Sequence, residues 1–319
     1  MENRGHDAPR AQYRLEWVDV ARGIGICAVV VGHVWTRGDL RDAMYSFHMP
    51  LFFLLSGLLS RPHPVGSFTR RQLIGQMRPY AAFLALLILI DQIVEPMKGG
   101  WPIFHSWPED LLPILLGGSW LRGPYTIFWF VPCLMAGRIL FNLASSRWSD
   151  PLDWRWGYII LPMLLLAYGL GQVTQISPLG LLTVPMAFLL LWAGAIWPHI
   201  RWRRWWVVPL GALALAGLAG FVPTLNMKAG DYGWPVLSMG SAVATSLLIF
   251  RLSALIAPYV APLATIGRAS LVIMYLHVAI IHYGAPYLGK VWLLMLALLV
   301  PFAAYHLLRA WPPARRIFL

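Results

Sequence analysis

Apolar runs approaching twenty residues recur along this chain, and a run of about 20 is what a helix needs to cross a bilayer. Ten such stretches can be drawn, at 17–36, 46–60, 78–97, 125–144, 157–174, 179–197, 205–222, 234–256, 268–287 and 290–309. Composition agrees: 59% of the 319 residues are hydrophobic and 12% are charged, where a soluble domain carries about a quarter charged residues. The expected fold is all-α, a polytopic membrane protein with about ten transmembrane helices in one bundle. Its parts would be a flexible cytosolic tail (1–16), a transmembrane domain (17–309) and a short cytosolic C-terminal tail (310–319). The first run lacks a small-residue cleavage site and reads as a retained span, not as a signal peptide.

The formal net charge of +12 does not mark a nucleic-acid partner, because the arginines sit at the ends of apolar runs and form no basic domain. With the N-terminus in the cytosol and ten alternating spans, about 19 of the 25 Lys and Arg fall on the cytosolic side, a strong positive-inside bias. That places both termini in the cytosol and the chain in a bacterial cytoplasmic (inner) membrane, with the lipid bilayer as its first partner. Cys27 and Cys133 lie inside spans and suggest neither a disulfide framework nor a metal site, and no metal is expected.

Within this frame the stretch from Trp17 to Leu59 is unusual. Between Gly23 and Val34 everything except glycine and His33 is apolar, yet the first span also holds Asp19 and Arg22. Ionisable groups inside a span are costly and are functional candidates by default. Arg22 and His33 are eleven residues apart, close to three helical turns, so they share a face and stand roughly 16 Å apart along it. Asp19, three residues before Arg22, is its natural ion-pair neighbour. A guanidinium low on the stripe and an imidazole high on it suit a molecule lying along the helix. The second span starts on the outer side, which brings His48 to the level of His33.

These residues carry a family resemblance. Asp19-x-x-Arg22-Gly23, the Arg22-x10-His33 spacing, and Phe47-His48-Met49-Pro50-Leu51-Phe52-Phe53 with Ser56-Gly57 resemble the membrane-integral acyltransferase family three, nearest its fucose O-acetylase-like branch. Phe128-Trp129-Phe130-Val131-Pro132 and Ile266-Gly267-Arg268-x-Ser270-Leu271, with His277 beyond, match later landmarks. The resemblance implies a bundle that takes an acyl group, usually acetyl from cytosolic acetyl-CoA as donor, and passes it to a hydroxyl of a cell-surface or lipid-linked sugar. Carried over by position, His33 would be the catalytic histidine and Arg22 its partner in the motif. One departure concerns the arginine pair that the family often places before the third span. Here the region reads Arg70-Arg71, then Arg78-Pro79, which leaves open which arginine touches coenzyme A.

The chemistry can be weighed residue by residue. A sugar hydroxyl needs its proton removed as it attacks a thioester, and imidazole titrates near working pH. His33 is therefore the expected general base, although a transient acyl-histidine is also compatible. The alternative is a buried, hydrogen-bonded histidine. Arg22 can grip a pantetheine carbonyl or a phosphate, or lock the helix through Asp19. His48 can position the acceptor, support His33, or only shape a kinked helix start. Trp129, Ser270 and His277 are the remaining acceptor-side candidates, and Arg70, Arg71 and Arg78 are candidates for the coenzyme phosphates. Asp91 and His282 read as structural. Residues 98–124, rich in Trp and Pro, are long enough to cover a cavity.

The competing function is a transporter or channel with Asp19, Arg22 and His33 lining the path. It lacks the paired, matching broken helices of inverted repeats. A non-catalytic partner that keeps the fold is the third reading.

Overall fold

The structure is a computed structural model that describes residues 7–319, with no side chain described for 7–15. The tail expected at 1–16 thus lies outside the described residues up to position 6. The helices in order are α1 (Asp7–Val34), α2 (Asp39–Tyr45), α3 (His48–Leu58), α4 (Val65–Met97), α5 (Leu111–Leu116), α6 (Phe130–Ser145), α7 (Gly157–Val173), α8 (Val184–Ile196), α9 (Val207–Leu218), α10 (Leu237–Ile256), α11 (Ala261–Arg268), α12 (Ser270–Gly284), α13 (Lys290–Ala310) and α14 (Pro312–Phe318). Among the described residues there is no strand, only an isolated bridge between Asn226 and Asp231.

The chain is an all-α, multi-pass membrane protein, but the count of ten does not follow from length. Seven helices among the described residues are long and apolar enough to cross a membrane, eight if α11 and α12, bent by 77° at Ala269, form one span. The other two expected spans contain α3 and α9, of 11 and 12 residues. At ~1.5 Å per residue each reaches roughly half of a 30 Å hydrocarbon core. Apolar side chains such as Leu161 and Leu165 on α7, and Leu299 and Val300 on α13, face outward, as lipid-facing helices require. Near the C-terminus α14 packs on α4, with the Phe318 ring 4.9 Å from that of Phe83.

Two close helix approaches fix the centre. Helix α1 lies against α11 through Gly23 and Gly267; a Cβ on Gly267 would fall 1.8 Å from the Asp19 carbonyl oxygen, and one on Gly23 2.3 Å from that of Leu263. Helices α3 and α8 meet in the same way. Cβ atoms on Gly57 and Gly194 would come within 1.9 and 2.1 Å of the carbonyl oxygens of Leu191 and Leu54. Small residues let backbones touch in membranes, where packing rather than water drives association. The first contact sets the end of α11 beside Asp19; the second clamps α3, which spans the gap between two cavities.

Candidate active site

The cavity at the Arg22 end of α1 encloses about 390 Å³ and is lined by Arg22, Phe52, Ser56, Gln76, Phe130, Arg138, Arg268, Ser270 and Tyr275, among others. The Gly23–Gly267 contact explains its charge. It brings Arg268, the last residue of α11, to 3.6 Å from Asp19, which also accepts a hydrogen bond from Arg22 at 3.2 Å. One carboxylate thus orders two guanidiniums. Arg138, on α6, supplies a third; its buried Nε has no hydrogen-bond partner in the structure, and its guanidinium stands 5.9 Å from the Phe68 ring.

A second cavity, of about 310 Å³, opens at the His33 end. His33, Arg41, Tyr45, His48, Thr126, Trp129 and Lys228 are among its lining residues. The His33 and His277 rings lie 5.0 Å apart edge to face, and the Tyr45 ring lies 6.0 Å from that of His33, tilted, and 4.7 Å from that of His48, edge to face. His277 is fully buried and its Nε2 has no partner.

All three imidazoles use the same local device. Nδ1 of His33, His48 and His277 lies 2.8, 2.6 and 2.8 Å from the carbonyl oxygens of Val29, Met44 and Ile273, four residues earlier in each case. A carbonyl can only accept, so in each ring Nδ1 carries the proton and donates it. The neutral ring then keeps a bare Nε2, which is the form of a base. Among the described residues no three His, Cys, Asp or Glu side chains are grouped as metal ligands.

The two cavities share aromatic walls. On α3, Met49 lines one and Phe52 the other; at the start of α6, Trp129 lines one and Phe130 the other. Three residues of helix are ~4.5 Å of rise. The Phe130 ring packs 6.0 Å from Phe52, 5.3 Å from Phe53 and 6.1 Å from Trp129.

The expected site residues therefore fall into two groups. His33, His48, Trp129 and His277 gather at one end, with Asp19, Arg22 and Ser270 at the other. Arg70 and Arg71 are exposed along a shallow groove that meets the Arg22 cavity at Gly75, and Arg78 is exposed and lines neither cavity. Three cavity cations were not singled out from sequence: Arg138, Arg41 and Lys228. Arg138 carries the same signal as Arg22, a charge inside an apolar run. Burial pushes the Lys228 ammonium down from the ordinary lysine value to about 8, and it donates to the Thr126 hydroxyl.

Asp91, read from sequence as structural, anchors the long 98–124 connection. It accepts hydrogen bonds from the Ile103 amide and the Tyr283 hydroxyl, both at 2.7 Å. That connection delivers Ser119 to the second cavity, while Trp101 and Trp107 stay exposed.

A family model described as an acyltransferase domain matches residues 15–306. No curated protein and no solved structure matches the chain.

Proposed function

We propose a function from one premise: the chain belongs to acyltransferase family three, and is a membrane acyltransferase. The reading is an O-acyltransferase that moves an acetyl group from cytosolic acetyl-CoA to a hydroxyl of a cell-surface or lipid-linked sugar. One observation carries it. A cavity with three guanidiniums and a cavity with bare imidazole nitrogens share walls, since Met49 and Phe52 on α3, and Trp129 and Phe130 at the start of α6, line one each.

Acetyl-CoA is a substrate here, consumed in each turnover. Its phosphates suit the guanidiniums of Arg22, Arg138 and Arg268, which stay charged at any working pH and offer planar forks of donors. Arg70 and Arg71, on the groove leading into that cavity, can meet the nucleotide end. The 16 Å or so between Arg22 and His33 along α1 is of the order of an extended pantetheine arm, so the thioester can reach the shared wall while the phosphates stay behind.

The acceptor sugar occupies the second cavity, where Trp129 offers an apolar ring face. His33 Nε2 takes the proton of the sugar hydroxyl as its oxygen attacks the thioester carbonyl. The new C–O bond forms, the C–S bond breaks, and the proton on His33 passes to the departing thiolate. The Val29 carbonyl holds the His33 tautomer and steadies the imidazolium, as an orienting acceptor does in other base-assisted acyl transfers. With the Arg22 end facing the cytosol, as the positive-inside bias favours, donor and acceptor enter from opposite sides of the membrane.

Incubation of the purified full-length protein with radiolabelled acetyl-CoA and a panel of sugars including fucose tests this reading. It requires acetyl transfer to a sugar by the unaltered protein and transfer at least about a hundredfold slower by the folded His33→Ala variant. Transfer by that variant at a comparable rate removes the proposed base. Solute flux without transfer favours a transporter.

A further inference from the structure

The turn that carries Lys228 is fixed on both sides. The Met227 carbonyl accepts a 2.8 Å hydrogen bond from Thr183 Oγ1, and the Met227 side chain is buried. Asn226 bridges to Asp231, and Gly230, at φ +68°, supplies the left-handed step that closes the turn. The result is a rigid short stem that sets an ammonium in the wall of the His33 cavity.

That ammonium is uncompensated. Among the described residues no carboxylate lines the cavity and Lys228 makes no ion pair. Its one neutral partner is the Thr126 hydroxyl. Arg41 on α2 lines the same cavity, 4.2 Å from the Tyr45 ring; its ion pair with Asp42, at 2.6 Å, leads to a residue that does not line the cavity. A half-buried ammonium without a counter-charge costs free energy that a neutral side chain would not. An anionic ligand recovers that cost, and a cavity with one net sign also excludes cationic competitors.

We propose that this cavity selects an acceptor sugar bearing an anionic substituent, a carboxylate or a phosphate, held by Lys228 and Arg41 while the hydroxyl to be acylated faces His33. The inference rests on the acyltransferase reading above and names its acceptor class. A carboxylate would come from an acidic sugar, a phosphate from a lipid-linked sugar phosphate; the two share the chemistry that Lys228 recognises.

The test is binding of glucuronate, glucose 1-phosphate and glucose to the full-length protein in nanodiscs, by calorimetry at several salt concentrations. At least one anionic sugar should bind about tenfold or more tightly than glucose. The gap should shrink as salt rises, and the tighter anion tells carboxylate from phosphate. Lys228→Met should close most of the gap and Lys228→Arg should keep it; if the Met variant does not fold, the salt series on the unaltered protein decides. Equal binding of charged and neutral sugars, including no binding of either, overturns the inference. So does displacement of the anionic sugar by coenzyme A at low concentration, which would give Lys228 to the donor. A Lys228→Met variant with lower kcat but an unchanged charged-to-neutral ratio overturns it as well, since Lys228 would then serve the reacting oxygen. Preferred binding of the anions, with no labelled acetyl reaching any of them, leaves the anion site intact and defeats the sugar-acetylating reading alone.

Discussion

The two cavities differ in what kind of charge they hold. The Arg22 cavity presents three guanidiniums, two of them ordered by Asp19 beside the α1–α11 contact. The His33 cavity presents three imidazoles in or beside it, a phenol and an ammonium displaced toward neutral pH. Guanidiniums keep their charge whatever happens nearby, so they suit a role that only holds a polyanion. A neutral imidazole with a bare Nε2 can take up a proton, so such rings suit the end where a proton must move. In the proposed reading, holding and reacting are separated along one helix, and α1 carries a member of each set.

The sharpest way to break this division is at His33. Replacing it by Ala should lower acetyl transfer by between about a hundred- and ten-thousand-fold, while the dissociation constant for acetyl-CoA, read by calorimetry, stays within about twofold. A large loss of donor affinity instead would mean that the two ends do not act separately.

The complementary change is at Arg138. Its removal should raise KM for acetyl-CoA about tenfold or more, the scale of one charge-assisted contact, with a much smaller effect on kcat. A fall in kcat at unchanged KM would move Arg138 to the reacting end.

How much of this division was legible beforehand depends on the residue. The all-α membrane fold followed from run lengths alone, and Arg22 and His33 from their spacing, because a helix of fixed pitch turns sequence separation into geometry. Helix number was less legible: α3 and α9 sit in apolar runs that read as spans, but only 11 and 12 residues of each are α-helical. Arg138 was visible as a charge in an apolar run, yet nothing local distinguishes an arginine that lines a cavity from one that marks a helix end. Arg78, adjoining its span in sequence, is exposed and lines neither cavity. Lys228 was not legible, since its placement depends on Thr183, 45 residues earlier, and on a glycine that closes the turn. His277 reaches His33 only because the break at Ala269 redirects α12.

Geometry that joins the two ends can be broken without touching either set of charges. Gly267→Ala inserts a methyl 1.8 Å from the Asp19 carbonyl, so α1 and α11 must part. The variant should be destabilised by about 1–3 kcal/mol or more, seen as a lower thermal midpoint in detergent. It should weaken acetyl-CoA binding before it affects anything at the His33 end. An unchanged midpoint would mean that the contact does not order the donor cavity.

The smallest expected effect is a pH dependence confined to one end. Lys228, facing Thr126 with Arg41, Tyr45, His33 and His48 around the same cavity, is charged below pH about 8 and neutral above it. Affinity for an anionic acceptor should therefore fall as pH rises through about 8. Acetyl-CoA affinity, set by guanidiniums, should hold steady over that range. Parallel pH profiles for the two ligands would erase the distinction.

The most direct measurement asks whether an acetyl group crosses between the cavities. Protein reconstituted in one orientation in sealed vesicles is given radiolabelled acetyl-CoA only on the face where the Arg22 cavity opens. An acceptor sugar is supplied only on the other face. The account predicts labelled ester on that far-side sugar and free coenzyme A on the near side, both formed at least about a hundredfold more slowly by His33→Ala. Label on sugar only when donor and acceptor share a face would contradict it.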